Sequence, residues 1–275
     1  MRLILTLLVR NEEDILQANL EYHLHRGVDF LIVTDNGSED GTVEILEEYQ
    51  RQGTVKLIHQ PRDDYSQARW VTRMARMACT EYGADWVFNG DADEFWWSEI
   101  GDLNTVLQGM PANVDVALVQ RTNFLPQPED GRPFYDLMTV RETRSLNPAG
   151  NPLPPKACHR AYSDIEVAQG NHSVSRPVSL GATAEPPLVI LHFPIRSYSQ
   201  FELKIRRGGA AYARNAELPE EVGYTWRRLH RLLLDGQLRE YYESQVSSPE
   251  KIRTGLAEGN LVEDQRLRRA LNQLL

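Results

Sequence analysis

The first third of the chain alternates between two hydrophobic patterns. Continuous apolar runs are typical of strands covered on both faces, and apolar residues recurring every three or four positions indicate amphipathic helices. The predicted strands are residues 2–9, 28–36, 54–60 and 84–91, and the predicted helices are residues 11–27, 37–53 and 66–82. Asn11 fits the N-cap of the first helix. Strands separated by helices of this length predict βαβ units and a mostly parallel sheet.

The rest of the chain has a different pattern, in which prolines concentrate in loops. Strands are predicted near residues 114–121, 135–143, 156–161 and 188–193, and helices near residues 197–214, 220–245 and 261–274. The whole pattern predicts an α/β fold, with a Rossmann-like, mostly parallel sheet flanked by helices and a helical C-terminal extension.

Composition narrows the class of protein further. The 275 residues are 41% apolar and 25% charged, which is ordinary for a soluble globular protein. The net charge is −9 without a long basic block, so we expect no nucleic acid as the main partner. Cys79 and Cys158 form no disulfide framework, and the short apolar N-terminus indicates a buried strand. These features predict a cytoplasmic protein.

Three polar clusters follow three of the predicted strands. They occupy residues 10–12, 35–38 and 91–94, and they contain Arg10, Asn11, Glu12, Asp35, Asn36, Asp91 and Asp93. In open α/β sheets, ligands bind outside the carboxyl ends of the strands. We therefore expect the three clusters to meet in one crevice, where Asp35 would accept a hydrogen bond from a pyrimidine base.

Asp91 and Asp93 are two residues apart, so on an extended strand they would share one face. Mg²⁺ and Mn²⁺ prefer carboxylates, water and phosphate oxygens and need few protein ligands. The pair therefore predicts a divalent metal that carries a nucleoside diphosphate. The alternative interpretation is that the acids cap a helix N-terminus.

Three motifs, in this order and spacing, resemble the family 2 glycosyltransferases, especially a bacterial subgroup with D-A-D-E-F. They are "LLVRNEEDIL", "IVTDNGSEDGT" and "WVFNGDADEFW". The resemblance is specific through about residue 100 and later includes "KACHR", "GNH" and "ILHFPIRSYSQFELKI". It implies a GT-A fold, a nucleotide-sugar donor and Mn²⁺ or Mg²⁺. By the same resemblance, residues 1–110 form the nucleotide-sugar-binding half, 111–195 the acceptor-side half and 196–275 the extension.

The resemblance also implies roles for single residues. Asn11 and Glu12, beside Arg10, would line the nucleoside pocket, Asp35 would bind the base, and Asp91 with Asp93 would form the D-x-D pair. Asn36 replaces the second aspartate of the frequent "D-D-G-S" version, which leaves its contact open. His192, at the end of an apolar run, resembles an added metal ligand; a core-edge histidine is the alternative.

The second half supplies further candidates. His172 lies in a loop suited to sugar contact, and Lys156 and Lys204 offer positive charge for the donor. Lys204 and Arg207 share one face of a predicted helix and would hold the diphosphate. Sugar transfer with inversion needs a general base, usually a carboxylate. Asp164, Glu166 and Glu185 are the candidates, and inversion or retention stays open.

The function predicted is transfer of a sugar from a nucleoside diphosphate, UDP in the first instance, to a hydroxyl of a carbohydrate or glycolipid in surface polysaccharide synthesis. The alternatives are a nucleotide-sugar-binding protein without turnover, a nucleotide-sugar hydrolase, or a sugar nucleotidyltransferase. The acidic, glycine-free loop after the first strand argues against the last. The arginine-rich C-terminal helix leaves open a peripheral contact with the inner membrane face, a homodimer, or a solvent-exposed helix.

Overall fold

The computed structural model of the protein describes residues 1–61, 66–146, 150–214 and 223–275. In this part of the chain, the strands are β1 (Leu3–Val9), β2 (Phe30–Asp35), β3 (Val55–His59), β4 (Trp86–Gly90), β5 (Glu94–Ser98), β6 (Val114–Val119), β7 (Arg121–Asn123), β8 (Val140–Glu142), β9 (Lys156–Arg160), β10 (Glu166–Val167), β11 (Val174–Ser175), β12 (Ala182–Ala184), β13 (Leu188–His192) and β14 (Leu261–Glu263).

The α-helices of the described residues are α1 (Leu16–His25), α2 (Thr42–Arg51), α3 (Gln67–Thr80), α4 (Leu103–Gln108), α5 (Phe134–Leu137), α6 (Tyr198–Lys204), α7 (Ala210–Arg214), α8 (Tyr224–Leu234), α9 (Leu238–Gln245), α10 (Pro249–Ala257) and α11 (Arg266–Leu271). A 3₁₀ turn covers Gln169–Asn171, and a π-helical turn, Ile205–Gly209, joins α6 to α7.

Among the described residues, seven strands form the central sheet, in the order β12-β6-β9-β4-β1-β2-β3. The strands β1, β2, β3 and β4 are parallel, and β6 and β12 pair in parallel with each other. β9 lies antiparallel between β4 and β6. The sequence "LILTLLV" of β1 is buried almost throughout because helices cover both faces of the sheet. Because β1, β2 and β4 run parallel, their carboxyl ends lie at the same edge of the sheet.

A smaller sheet of β5, β13 and β7 lies next to this edge. β13 pairs antiparallel with β5, so that His192 is opposite Glu94. β13 also runs parallel to β7, where His192 is opposite Asn123. The small sheet therefore brings the end of β13 to the residues that follow β4.

The C-terminal helices have an apolar cluster of their own. Its buried members are Phe201, Ile205, Leu229, Leu238 and Tyr242. The π-helical turn packs closely on α8: a Cβ added at Gly208 would lie 2.5 Å from the Trp226 ring, and one added at Gly209 would lie 2.5 Å from the His230 Cβ. These two glycines allow the backbones to approach.

The predicted fold class is confirmed: a mostly parallel central sheet lies between helices, and the C-terminal part is helical. Several elements differ from prediction. Residues 135–143 hold α5 and β8 instead of one strand, 220–245 holds α8 and α9, and 261–274 holds β14 before α11. Residues 220–222 lie outside the described residues. In the described residues, no helix has the length and apolarity to cross a membrane.

Asn11 is not the N-cap of the first helix. Its φ is +54°, and α1 begins at Leu16 after Ile15, with no side-chain cap. The left-handed backbone turns the chain after β1 toward the loop after β2, and asparagine tolerates that conformation better than most residues.

Candidate active site

The loops after β1 and β2 are joined to each other by hydrogen bonds. The Asn11 backbone N–H donates to Ser38 Oγ at 2.9 Å, and the Glu39 N–H donates to Asn11 Oδ1 at 2.7 Å. The Glu12 N–H donates to Thr42 Oγ1 at 2.9 Å. The left-handed conformation of Asn11 presents these groups, so two of the three predicted clusters form one wall of the crevice. Arg10 is half-buried where β1 ends.

Asp35 and Asn36 hold the turn after β2. The Asp35 carboxylate accepts from the N–H groups of Gly37, at 3.1 Å, and Ser38, at 3.3 Å, and Asp35 is buried. The Asn36 side-chain N–H donates to the Gln60 carbonyl at 2.9 Å. The bonds explain why these residue types follow the strand, and contact with a base remains a prediction.

Asp93 lies at the centre of the site, beside the end of β13. Lys204 Nζ donates to Asp93 Oδ2 at 2.6 Å, and His192 Nε2 is 3.7 Å from Asp93 Oδ1. His192 Nδ1 lies 2.7 Å from Asn123 Oδ1, so Nδ1 donates and the Nε2 lone pair faces Asp93. Two side chains from the second half of the chain thus meet at one carboxylate of the first half.

The charges around Asp93 hold it ionised. Burial alone would raise the pKa of Asp93, but the cations Lys204 and Arg196 help to lower it well below the ordinary value. Burial lowers the pKa of His192 to about 3, so the imidazole is neutral at pH 7. A carboxylate and a neutral imidazole nitrogen are both ligands for a divalent cation.

Asp91 belongs to a second ion cluster. Lys156 Nζ donates to Asp91 Oδ2 at 2.5 Å and lies 3.2 Å from Glu94 Oε1, although Lys156 is only 1% exposed. Arg121 approaches Glu94 Oε1 at 3.4 Å. Burial raises the pKa of Glu94 to about 7 despite these cations. Burial opposes the charge of Lys156, but Asp91 and Glu94 raise its pKa above the ordinary value. The two aspartates of D-A-D thus lie in separate ion pairs.

Arg196 connects the end of the small sheet to the loop after β1. Its guanidinium donates to Glu12 Oε2 at 2.5 Å, to Asp14 Oδ2 at 2.6 Å and to the Phe193 carbonyl at 3.2 Å. Arg196 is 5% exposed, and burial raises the pKa of Glu12 even though Arg196 opposes the shift. Sequence reasoning missed Arg196 and Arg121. The sequence marks these two residues only by position, because Arg196 follows shortly after His192 and Arg121 is the first residue of β7.

Of the remaining predicted residues, His172 lies near the second ion cluster. His172 Nδ1 bonds the Pro155 carbonyl at 2.8 Å, and its neighbour Asn171 reaches Asp91 at 3.5 Å, so this loop borders the Lys156 cluster. Burial, with Lys156, lowers the pKa of His172 to about 4.

The three base candidates show no contact with the Asp93 site in the part of the chain that is described. Asp164 pairs with Arg176, at 3.0 Å, and Glu166 lies 3.6 Å from Arg76 of α3. Glu185 is exposed in the loop between β12 and β13.

Asp93 and His192 suit a divalent cation. Within the described ranges, no group of three or more His, Cys, Asp or Glu side chains gathers as a metal site. Mg²⁺ and Mn²⁺ bound with phosphate need only one or two protein ligands, however, because water and phosphate oxygens complete the coordination. Asp93 Oδ1 and His192 Nε2, 3.7 Å apart, offer two such ligands.

Comparison with protein-family models gives a match over the first part of the chain. The family model described as "Glycosyl transferase family 2" matches residues 7–160, more than half of the chain, and this range includes all three crevice loops. No curated protein matches the chain.

Solved structures give distant similarities. S. aureus TarS 1-349 in complex with UDP is 16% identical, with 99% of this chain and 90% of that chain covered and a TM-score of 0.42. The mannosyltransferase PcManGT from Pyrobaculum calidifontis, in complex with GDP-Man and Mn²⁺, is 14% identical, covering 94% and 79%, at a TM-score of 0.41.

Glucosyl-3-phosphoglycerate synthase from Mycobacterium tuberculosis, in complex with Mn²⁺, UDP and glucosyl-3-phosphoglycerate, is 18% identical over 44% of each chain, with a TM-score of 0.31. TM-scores this low describe a general likeness of shape, from which no ligand or reaction follows for this chain.

Proposed function

The chain belongs to glycosyl transferase family 2 and is a glycosyltransferase, and from this premise we propose that it transfers a sugar from a metal-bound nucleoside diphosphate to a hydroxyl acceptor. The observation that carries the proposal is the meeting of Asp93, His192 and Lys204 at the carboxyl end of β4. A carboxylate, a neutral imidazole and a lysine in one crevice suit a cation and a diphosphate together.

Asp93 and His192 would hold Mn²⁺ or Mg²⁺. When bound, the metal neutralises charge on the departing diphosphate. Lys204, whose Nζ lies at the same carboxylate, would bind phosphate oxygens of the donor. Asp91 is proposed to face the donor sugar rather than the ion, because Lys156 already neutralises it.

The wall formed by the loops after β1 and β2 is proposed to bind the nucleoside. Asn11, Glu12 and Asp35 are fixed there by backbone bonds, which preorganises the wall. Glu12 Oε2 is fixed by Arg196 and suits a ribose hydroxyl donor, and we propose uridine as the base.

In the reaction, the acceptor oxygen bonds to the anomeric carbon as the carbon–oxygen bond to the diphosphate breaks, and the hydroxyl proton passes to a base. Asp164, Glu166 and Glu185 remain the predicted bases. Asp164 and Glu166 pair with Arg176 and Arg76 in the described chain, so no base is assigned, and a nucleotide-sugar-binding protein without turnover is kept as the second candidate function. Release of UDP in the presence of a carbohydrate or glycolipid acceptor distinguishes the two.

Calorimetric titration of UDP tests the proposal. With Mn²⁺ present, we expect micromolar binding that is lost with chelator and weakened at least tenfold by Asp93→Ala. Glu250→Gln, an exposed acid on α10, is the control and should bind as the wild type does. Binding of GDP instead of UDP would change the donor alone, whereas nucleotide binding that ignores both metal and Asp93 would refute the proposed metal-bound donor site.

A further inference from the structure

The chain between β13 and α7 supplies cations to acids of all three crevice loops. Arg196 pairs with Glu12 and Asp14, Lys204 pairs with Asp93, and Arg207 pairs with Glu39. The acids that follow β1, β2 and β4 therefore have internal counter-ions before any ligand enters.

The three pairs differ in how firmly they are held. The Arg196 side chain is 2% exposed and makes several bonds, whereas the Arg207 and Glu39 side chains are 37% and 63% exposed. Lys204 is intermediate: its side chain is 24% exposed, and its flexible end donates a hydrogen bond to Asp93, which is itself buried. Of the three cations, Lys204 is the one whose partner is also a metal ligand.

The backbone behind Lys204 is anchored. The π-helical turn begins at the next residue, and the close approach of Gly208 and Gly209 to α8 holds it in place. Single π-helical turns within α-helices are frequent at functional sites. A rotation of the lysine side chain, without movement of the helix, is therefore enough to separate Nζ from Asp93.

We propose that Lys204 is a resident cation that the divalent metal displaces from Asp93, and that the freed ammonium then pairs with the donor diphosphate. This inference rests on the proposed function. A buried carboxylate stabilises each of two cations less than it stabilises a single cation, so Lys204 opposes binding of the metal alone. Diphosphate removes that opposition by accepting the lysine. By linkage, each ligand then strengthens the binding of the other.

The test measures Mn²⁺ and UDP binding separately and together. Free Mn²⁺ is followed by electron paramagnetic resonance in the wild type, Lys204→Met and the control Arg206→Gln, whose side chain pairs with Glu202 on the exposed side of the same helix. Lys204→Met should bind Mn²⁺ alone about tenfold more tightly and should lose about tenfold of the coupling between Mn²⁺ and UDP. Arg206→Gln should change neither.

The direction in which Lys204→Met changes the affinity for Mn²⁺ alone separates this role of Lys204 from other roles. A lysine that only binds phosphate leaves the affinity for Mn²⁺ alone unchanged, and one that only supports the fold lowers it; either result overturns the proposal. A different result would overturn the nucleotide part of the proposed function instead. In that result, neither the wild type nor the two variants bind UDP, while Lys204→Met still binds Mn²⁺ more tightly than the wild type does.

A second measurement uses the wild type itself. The chain has four lysines, at positions 56, 156, 204 and 251, so ¹³Cε-lysine labelling gives a simple spectrum, in which Lys204→Arg assigns its signal. Saturating Mg²⁺ should shift the Lys204 signal and leave that of exposed Lys251 in place. An unmoved Lys204 signal contradicts displacement.

Discussion

Asp91 and Asp93 show how far the environments of two residues can diverge within one tripeptide. Asp93 faces His192 and the flexible end of Lys204, so its partners include a side chain able to leave. Asp91 faces Lys156, which is 1% exposed and also neutralises Glu94, a side chain with no exposure at all. Asp91 therefore has a structural role, in addition to the role that we propose for it in the site.

Lys156→Met should destabilise the folded protein by about 3–5 kcal/mol at pH 7, because it leaves Glu94 and Asp91 without their shared cation. Equilibrium unfolding in urea measures the change, with exposed Lys251→Met as the control expected to stay within about 0.5 kcal/mol. A Lys156→Met protein as stable as the control would show that Arg121, or protonation of Glu94, compensates for the lost lysine.

The sequence was sufficient to predict that the residues after β1, β2 and β4 lie at one edge of the sheet, because the carboxyl ends of parallel strands meet there. It did not predict that Lys156 pairs with Asp91, 65 residues away, since that contact depends on β9 lying antiparallel beside β4. Arg196 was missed for a similar reason: its acids follow β1, more than 180 residues earlier.

At the scale of elements, most strands of five or more residues were predictable, including the alternating β3, and most strands of two or three residues were not. β5, "EFWWS", was missed because its first residue is a buried glutamate, which pairs there with Lys156 and Arg121. β8 and β14, three residues each, pair with each other and carry no periodic signal of their own.

The contact between the π-helical turn and α8 also belongs to this scale. Gly209→Ala should lower stability by about 1–3 kcal/mol, because the new Cβ would lie 2.5 Å from the His230 Cβ. Its φ is not positive, so the cost is steric. Thermal unfolding measures it, against Gly109→Ala, where the nearest atom lies 3.4 Å away. Equal melting temperatures for the two variants would contradict close packing.

At the scale of the whole molecule, buried histidines tie stability to pH. Burial lowers the pKa of His23 and of His159 to about 4, from an ordinary value near 6.5. His159 Nδ1 bonds the Arg160 carbonyl at 2.8 Å, and its Nε2 has no partner among the described residues. The folded state therefore favours neutral histidine. The stability this contributes is complete above pH 6.5 and is lost as pH falls toward 4.

His159→Leu should weaken this dependence by about 1.4 kcal/mol per pH unit between pH 6.5 and 4, the value for one proton. The free energy of unfolding in urea, measured across this range, gives the slope for both proteins. The difference between them is the informative quantity, because Glu94, with its pKa raised to about 7, contributes a slope of opposite sign. Parallel curves would show that His159 is protonated in the folded protein.

The antiparallel strand β9 has a consequence for folding fidelity. β9 is buried along most of its length, and a shift of its register by one residue would turn every side chain to the opposite face of the sheet. Such a shift would place Ala157 where Lys156 lies at the edge of the sheet and would take the lysine away from Asp91 and Glu94, at a cost of several kcal/mol. The charge that serves the crevice thereby also rejects misaligned chains while the sheet assembles.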